Sequence, residues 1–288
     1  MLGGCAVGGS VDRVRPTAAV DTGESTARGY RETKLTGHIQ DPQITESSGL
    51  VAASAGRGSY WTHNDSGGGV ELYCLRSRGA SCGTWTVTGA EAADWEDIAK
   101  GPGATAGATY LYLGDIGDNE AVRASISIYA VPEPSPTGAD GATQPSTVLS
   151  FTYPDGPRDA ETLLVHPSTG DLYVVSKGAR PEVYAARAPL TSGTLEFVGL
   201  APGPGPAPGP TGGDISPNGR RVIFSTYTGG IELRLPKGKT FDSIWARPPH
   251  AVSFPFDQRE AIAYSPSGSS LLSTSEGKNA PIYKATRR

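Results

Sequence analysis

The chain has 288 residues, a formal net charge of −4 at pH 7, 39 glycines and 24 prolines. This slightly acidic balance excludes the basic surface expected of a nucleic-acid-binding protein. The apolar runs are too short for a transmembrane helix, and the abundant Gly and Pro favour many short strands joined by tight turns.

The first residues, Met1-Leu2-Gly3-Gly4-Cys5, resemble a bacterial lipobox, in which the cysteine carries a lipid. The basic and apolar parts of a signal peptide are missing around it, so a chance run of small residues is the alternative. Residues 6–32 have little periodicity and many Gly, Thr and Ser, which is typical of a flexible spacer. We therefore predict a lipidated start and spacer over residues 1–32 and one folded domain over 33–288.

Two further cysteines, Cys74 and Cys82, flank a turn-like stretch between two alternating apolar runs. A disulfide across that hairpin suits an oxidising compartment and leaves Cys5 as the odd cysteine for lipid. We expect an extracytoplasmic protein that contacts the bacterial membrane only through this anchor.

From about residue 33, short stretches rich in β-prone apolar residues predict one strand after another. The strands fall into five units. The units comprise 48–54, 59–64, 70–76 and 83–88; then 95–100, 108–115, 125–131 and 147–153; then 160–166, 171–177, 182–187 and 194–200; then 211–216, 220–227, 230–236 and 243–254; and finally 259–265, 270–275 and 281–286.

The last unit has three strands, and the unpaired strand 34–40 can supply its fourth. Closing a ring of blades with a strand from the opposite terminus removes an open sheet edge. We therefore predict an all-β fold, a β-propeller of five four-stranded blades closed by the N-terminal strand. A six-bladed ring is the alternative, and it would need another inner strand within 117–150 or 236–257.

A spaced repeat opens the units: a Glu, an apolar residue two positions later and a Pro six positions later. It starts at Glu96, Glu161 and Glu260. A copy starting at Thr211 keeps the Pro without the acid, and a copy starting at Ser48 has neither. Such recurrence marks repeated supersecondary units. The three acids therefore occupy equivalent places in three blades.

In a propeller blade, the start of the inner strand and the end of the second strand lie at the same face. We therefore expect acids from several blades to meet at one mouth of the central channel. The candidate metal ligands are Glu96, Asp97, Asp115, Glu161, Glu260 and Asp65. The candidate substrate-binding residues are Lys177, Arg259 and Asn64. For each single residue, capping of a backbone N–H or pairing with a basic side chain is the structural alternative.

Several carboxylates around one axis repel one another unless some are protonated or cations share the site. Lys177 and Arg259 are possible internal partners. A hard cation bound by oxygen atoms is the other solution, and Ca²⁺ is the ion that exported compartments often supply. No cluster of His or Cys accompanies the acids, which disfavours a transition metal. We therefore predict Ca²⁺ as the cofactor.

Several short motifs resemble those of a family of bacterial secreted β-propellers. They are Asn64-Asp65-Ser66-Gly67, Asp94-Trp95-Glu96-Asp97-Ile98-Ala99, Gly114-Asp115-Ile116-Gly117-Asp118-Asn119, Asp159-Ala160-Glu161-Thr162 and Ser216-Pro217-Asn218-Gly219. The broader resemblance is to phytase-like and gluconolactonase-like propellers, whose acids hold Ca²⁺ or another divalent ion on the axis. It implies phosphoester hydrolysis or lactone opening. The chain departs from both groups in blade number, and no complete catalytic set matches residue by residue.

Three functions are compatible with these patterns, and whether the chain is an enzyme stays open. The first is metal-dependent hydrolysis of a phosphoester or lactone. The second is a non-catalytic module whose mouth binds a small molecule, a glycan or a protein, with Trp61, Trp95 and Tyr227 as possible contacts. The third is glycan cleavage by two carboxylates. In each case we expect a monomer.

Overall fold

The computed structural model describes residues 29–65, 67–136, 138–203, 209–255 and 259–288. Their strands form five sheets whose inner strands neighbour one another in chain order, with blade five returning to blade one. The predicted five-bladed β-propeller is confirmed.

Each blade contains four main antiparallel strands. From the inside outward, blade one has Ser47–Ala52, Ser59–Asn64, Glu71–Arg76 and Ser81–Thr86; blade two has Trp95–Pro102, Thr109–Asp115, Ile126–Pro132 and Thr147–Thr152; blade three has Ala160–Val165, Leu172–Ser176, Glu182–Ala186 and Glu196–Leu200; blade four has Gly213–Ile215, Arg221–Thr226, Gly229–Arg234 and His250–Val252; and blade five has Arg259–Tyr264, Ser270–Ser275, Pro281–Thr286 and Lys34–His38.

The N-terminal strand closes the ring as predicted. Lys34–His38 pairs antiparallel with Pro281–Thr286, and it is the outermost strand of blade five. Because the first and last strands of the propeller share one sheet, neither terminus leaves blade five with a three-stranded edge.

The outer edges differ from the prediction. The predicted strand 243–254 consists of a 3-10 turn, Phe241–Ile244, followed by the short strand His250–Val252. Two-residue strands, Gly141–Ala142 and Gly193–Thr194, add parallel to the edges of blades one and two. The described residues contain no sixth inner strand, so the six-bladed alternative is wrong.

The hydrophobic core is divided into five clusters, each lying between two neighbouring blades. Between blades one and two, the rings of Trp61 and Trp85 meet edge to face at 5.0 Å, and Trp95 packs in the same cluster. Burial of each such large apolar side chain contributes about 1.5–3 kcal/mol. The inner strands are buried on both faces because the neighbouring blades cover them.

The predicted disulfide is confirmed: Cys74 and Cys82 are bonded and join the third and fourth strands of blade one. Cys5 and most of the predicted spacer lie outside the described residues. The described chain starts at Gly29, and Tyr30 is buried where its hydroxyl donates to Glu232. Among the described helices, none has the length and apolar character to cross a membrane.

Candidate functional site

The three repeat glutamates share one backbone position. At each of them the inner strand advances by two residues while its partner strand advances by one, which leaves Glu96, Glu161 and Glu260 outside the regular pairing. A β-bulge of this kind re-aims the side chain of its extra residue. The bulge is therefore the local feature that directs each glutamate out of the sheet register.

Blades one and four have a hydroxyl at the place of the glutamate. Ser48 Oγ donates to the backbone carbonyl of Glu96 at 2.6 Å, and Thr211 Oγ donates to the carbonyl of Arg259 at 2.6 Å. Each bond links an inner strand to that of the next blade. Ser48 and Thr211, the two exceptions in the acidic repeat, are thus buried and stabilise contacts between blades.

Seven carboxylates from blades one, two, three and five gather in an arc, which we call the acidic crescent. They form three groups in which one oxygen atom per residue lies within 4.8 Å of the others. The groups are Asp65, Asp94 and Glu96; Asp65, Glu260 and Glu276; and Glu96, Asp159 and Glu161. Two shared members, Asp65 and Glu96, make the arc continuous. Among the described residues, blade four contributes no acid to these groups.

A second repeated position completes the mouth. The residue immediately after the second strand is Asp65 in blade one, Lys177 in blade three, Tyr227 in blade four and Glu276 in blade five. The mouth is therefore built from two repeated places: the bulge glutamates of blades two, three and five, and the residues that follow the second strands of blades one, three, four and five. Its charge varies around the ring because the residue types at these places differ.

Gly117 brings the backbone of blade two directly against the crescent. A Cβ atom at this residue would lie 2.3 Å from Asp94 Oδ2 and 2.3 Å from Glu96 Oε1. The backbone N–H of Gly117 also donates to the carbonyl of Asp94 at 3.2 Å. A side chain at residue 117 would displace one of the two carboxylates, so glycine permits their close approach.

Burial and the charges of neighbouring carboxylates raise the pKa values of four crescent acids, namely Asp94, Glu96, Glu161 and Glu260. Burial is the largest cause of the raised pKa of Glu96, followed by the negative charges of Glu161 and Asp65. Burial also raises the pKa of Glu260, and its side-chain contact with Glu276 raises it further. Near neutral pH, these carboxyl groups therefore need either protons or nearby positive charge.

Lys177 supplies one such charge. Its Nζ bonds to Glu161 and lies 4.0 Å from Asp159 Oδ2. Burial lowers the pKa of Lys177, but the bond and the charge of Glu161 raise it above its ordinary value overall. The ammonium group is thus charged at neutral pH and lies against the group formed by Glu96, Asp159 and Glu161.

Neutral side chains border the gap in the crescent at blade four. Tyr227 is half-buried there, and its pKa is raised first by burial and then by the charge of Glu161. On the same blade, Thr226, Thr228 and Phe254 line part of a cleft of about 420 Å³. Most of the rest of its lining comes from the third and fourth strands of blade four and the residues next to them.

Asp97, a predicted ligand, is fully buried between inner strands and lies outside the crescent groups. Its carboxylate accepts hydrogen bonds from the backbone N–H groups of Ile98 at 2.8 Å, Leu163 at 3.0 Å and Gly213 at 3.1 Å. Burial raises the pKa of Asp97, and these three bonds oppose that effect. Asp97 therefore joins blades two, three and four.

Three further predicted residues have other partners. Asp115 forms an ion pair with Arg123 at 2.8 Å. The amide of Asn64 bonds to the backbone of residues 43–46. Arg259 is fully buried, donates to the carbonyl of Pro255 and has aromatic rings on its guanidinium. The structure thus places these side chains in supporting contacts around the mouth.

Three crescent residues, Asp94, Asp159 and Glu276, were not among the predicted ligands. Asp94 and Asp159 each stand two positions before a repeat glutamate, so an Asp-x-Glu pattern in blades two and three was the available signal. Glu276 follows the second strand of its blade, as Asp65 does. Aligning the blades at the repeat glutamates would have found Asp94 and Asp159, whereas finding Glu276 requires aligning the ends of the second strands.

No protein-family model matches the chain, and no curated protein matches it. Among solved structures, it is similar to a gluconolactonase from Xanthomonas campestris, with 13% identity, a TM-score of 0.47 and coverage of 90% of this chain and 95% of the other. It is also similar to the soluble aldose sugar dehydrogenase from Escherichia coli, with 10% identity, a TM-score of 0.48 and coverage of 89% and 99%. The blade assignment above rests on the strand pairing of this chain itself.

Proposed function

We propose that this chain is an exported, metal-dependent hydrolase. Its acidic crescent binds a divalent cation, Ca²⁺ in the first place, and its substrate is a phosphoester or a lactone. The crescent carries this proposal, because seven carboxylates lie together and Lys177 bonds to one end of the arc. At the other end, Glu260 Oε2 is buried without a hydrogen-bond partner. An unpaired buried oxygen is costly, and a cation would satisfy it.

The donor set suits a hard cation. All seven groups offer carboxylate oxygens, and Ca²⁺ takes oxygen ligands at about 2.3–2.6 Å. Ligands on opposite sides of such an ion lie about 5 Å apart, so oxygen atoms that lie within 4.8 Å of one another can bind the same ion. The acids Asp65, Asp94, Glu96, Glu260 and Glu276 are therefore the proposed ligands. Asp97 and Asp115 are left out because other groups already bond to them.

A bound divalent ion supplies Lewis-acid polarisation of a phosphoryl or carbonyl oxygen and a bound water of lowered pKa. The residues of the chain contribute position and charge. Lys177 is a quarter exposed at the mouth, so its ammonium can also attract an anionic substrate.

Thermal unfolding with and without Ca²⁺ tests the cation first. We expect Ca²⁺ to raise the melting temperature of chelator-treated protein, because it binds the folded state alone. Glu260→Gln should reduce this rise, whereas Glu196→Gln, an exposed substitution on the outer strand of blade three, should not. An unchanged melting temperature in the wild-type protein would contradict the proposal.

A panel of phosphoesters and lactones, assayed with Ca²⁺, Mg²⁺ and Mn²⁺, then tests the reaction. We expect turnover that a chelator abolishes and that Glu260→Gln lowers. Cation binding without turnover of any compound would favour the alternative, a non-catalytic module that binds a small molecule, a glycan or a protein. Trp61 and Trp95 are buried in the core, so Tyr227 is the aromatic contact that such a module would use.

Export and lipid anchoring are part of the same proposal. The Cys74–Cys82 bond supports an oxidising location. Cys5→Ser should release the protein from the membrane fraction of cells that express it, whereas Cys74→Ser should not. The chain is proposed to act as a monomer, which sedimentation of the soluble domain can check.

A further inference from the structure

The acidic crescent contains two overlapping ligand sets that meet at one residue. We propose that the crescent binds two divalent cations rather than one, with Asp65 as their shared ligand. This inference rests on the proposed cation function. The first site consists of Asp65, Asp94 and Glu96. The second site consists of Asp65, Glu260 and Glu276.

The position of Asp65 in the ring allows it to serve both sites. It follows the second strand of blade one, and blade one lies between blade five and blade two. Its carboxylate comes within 4.8 Å of acids from both neighbours. In blade one, Ser48 stands at the repeat position that a glutamate takes in blades two, three and five, and its hydroxyl donates to the carbonyl of Glu96.

The second site has the observation that most directly indicates a ligand. Glu260 is 6% exposed, and its Oε2 is buried with no hydrogen-bond partner. The side chain of Glu276 lies within hydrogen-bonding distance of Glu260. The two carboxylates are in contact, and one oxygen of Glu260 has no hydrogen-bond partner. A cation bound between them would stabilise this arrangement.

The first site is held by backbone that has no room for a side chain. Gly117 lies against both Asp94 Oδ2 and Glu96 Oε1, at the positions where a Cβ would be 2.3 Å away. The nearby Arg123 pairs with Asp115 at 2.8 Å and donates to the carbonyl of Gly117. The ion pair of Arg123 is therefore with Asp115, which is not a ligand of the first site.

The third crescent group, Glu96, Asp159 and Glu161, already has a cation of its own. Lys177 Nζ bonds to Glu161 and lies 4.0 Å from Asp159 Oδ2, which is the place that a metal ion would take. Two divalent ions and this ammonium bring five positive charges to seven carboxylates. A second divalent ion adds positive charge where Asp94 and Glu96 repel each other.

Calorimetric titration of the chelator-treated protein with Ca²⁺ tests this inference. We expect two ions per wild-type chain and one ion per chain in both Asp94→Asn and Glu276→Gln. Asp65→Asn should weaken both binding events by about tenfold or more, since each site loses a charged ligand. Glu196→Gln on the outer strand of blade three is the matched control and should bind two ions.

One ion per wild-type chain would overturn the two-ion inference and leave the proposed function intact, whereas no ion would contradict both. If a variant no longer unfolds cooperatively, its titration is not used, and wild-type crystals soaked in Mn²⁺ test the inference instead. We expect two peaks in their anomalous map, one on each side of Asp65. A single peak there would also overturn the inference. Lys177→Met should gain a third ion; two ions in that variant would overturn the part assigned to the lysine. Lys284→Met, on an outer strand of blade five, is its control.

Discussion

Buried carboxylates occur in two places in this propeller: in the acidic crescent, and at Asp97 between the inner strands, which we call the inner layer. The two places differ in what surrounds the acids. In the crescent, Glu96 lies beside Asp94, Asp65 and Glu161, all of the same charge. One residue further along the same strand, Asp97 receives three backbone N–H groups from three blades. The adjacent acids thus have opposite surroundings.

The difference teaches that burial alone does not define a site. Burial raises the pKa of both acids, but the N–H bonds to Asp97 oppose that effect, whereas the like charges around Glu96 add to it. The inner layer therefore stabilises the ring, and the crescent stores repulsion that a cation can relieve. Substitutions in the two layers should consequently differ in how their effects depend on Ca²⁺.

The largest expected effect is that of Asp97→Asn, which breaks the inner layer. An amide cannot accept from all three N–H groups, so buried donors lose their partner, at a cost of about 3 kcal/mol. Urea unfolding should show this loss equally with Ca²⁺ and with chelator. Asp140→Asn, which changes an exposed acid that accepts one N–H bond, is the control. A loss below about 1 kcal/mol would contradict the structural role of Asp97.

The disulfide gives a reference change outside both layers. Replacing Cys74 and Cys82 together by Ala should lower the free energy of unfolding by about 2–4 kcal/mol, because the unfolded chain is no longer cross-linked. The loss should be the same with and without Ca²⁺. Reductant should bring the wild-type protein to the level of the variant and leave the variant unchanged. An identical unfolding curve for variant and oxidised wild type would contradict the bond.

Glu96→Gln sharpens the comparison through the sign of its effect. At neutral pH with chelator, the variant should be more stable than the wild type by about 1–3 kcal/mol, because the raised pKa of Glu96 destabilises the folded state above the unfolded pKa. With saturating Ca²⁺ the order should reverse, since the variant lacks a ligand. Glu196→Gln should show neither change. If the variant is less stable than the wild type both with chelator and with Ca²⁺, Glu96 has a structural role like that of Asp97.

Counted per pH unit, the smallest effect concerns Asp214, the acid of blade four. Burial raises its pKa from 3.8 to about 7, while the N–H of Tyr264 and the charge of Lys100 oppose this. The folded state then binds the extra proton between these values, so stability falls as pH rises through that window. Asp214→Asn should lessen this fall by at most about 1.4 kcal/mol per pH unit. If the free energy of unfolding, measured in urea, changes equally with pH in both proteins from pH 4 to 7, the raised pKa of Asp214 is contradicted.

Local patterns predicted most of the fold. Alternating apolar residues and turn signals are short-range features, and they located the inner strands of all five blades and the closing strand 34–40. The weakest prediction was the outer strand 243–254, where a 3-10 turn precedes three strand residues. Edge strands have one neighbour instead of two, so their length depends on tertiary contacts more than on the pattern.

The repeat spacing alone predicts that Glu96, Glu161 and Glu260 occupy equivalent places, because it is a property of the chain. Which acids share a site depends on the folded ring. Asp97 and Asp115 were predicted as ligands, yet the partners of Asp97 are backbone N–H groups and the partner of Asp115 is Arg123. The bulges and the closure of the ring bring side chains from four blades within ångströms of one another, and such long-range proximity is what fixes their charge, their partners and their chemistry.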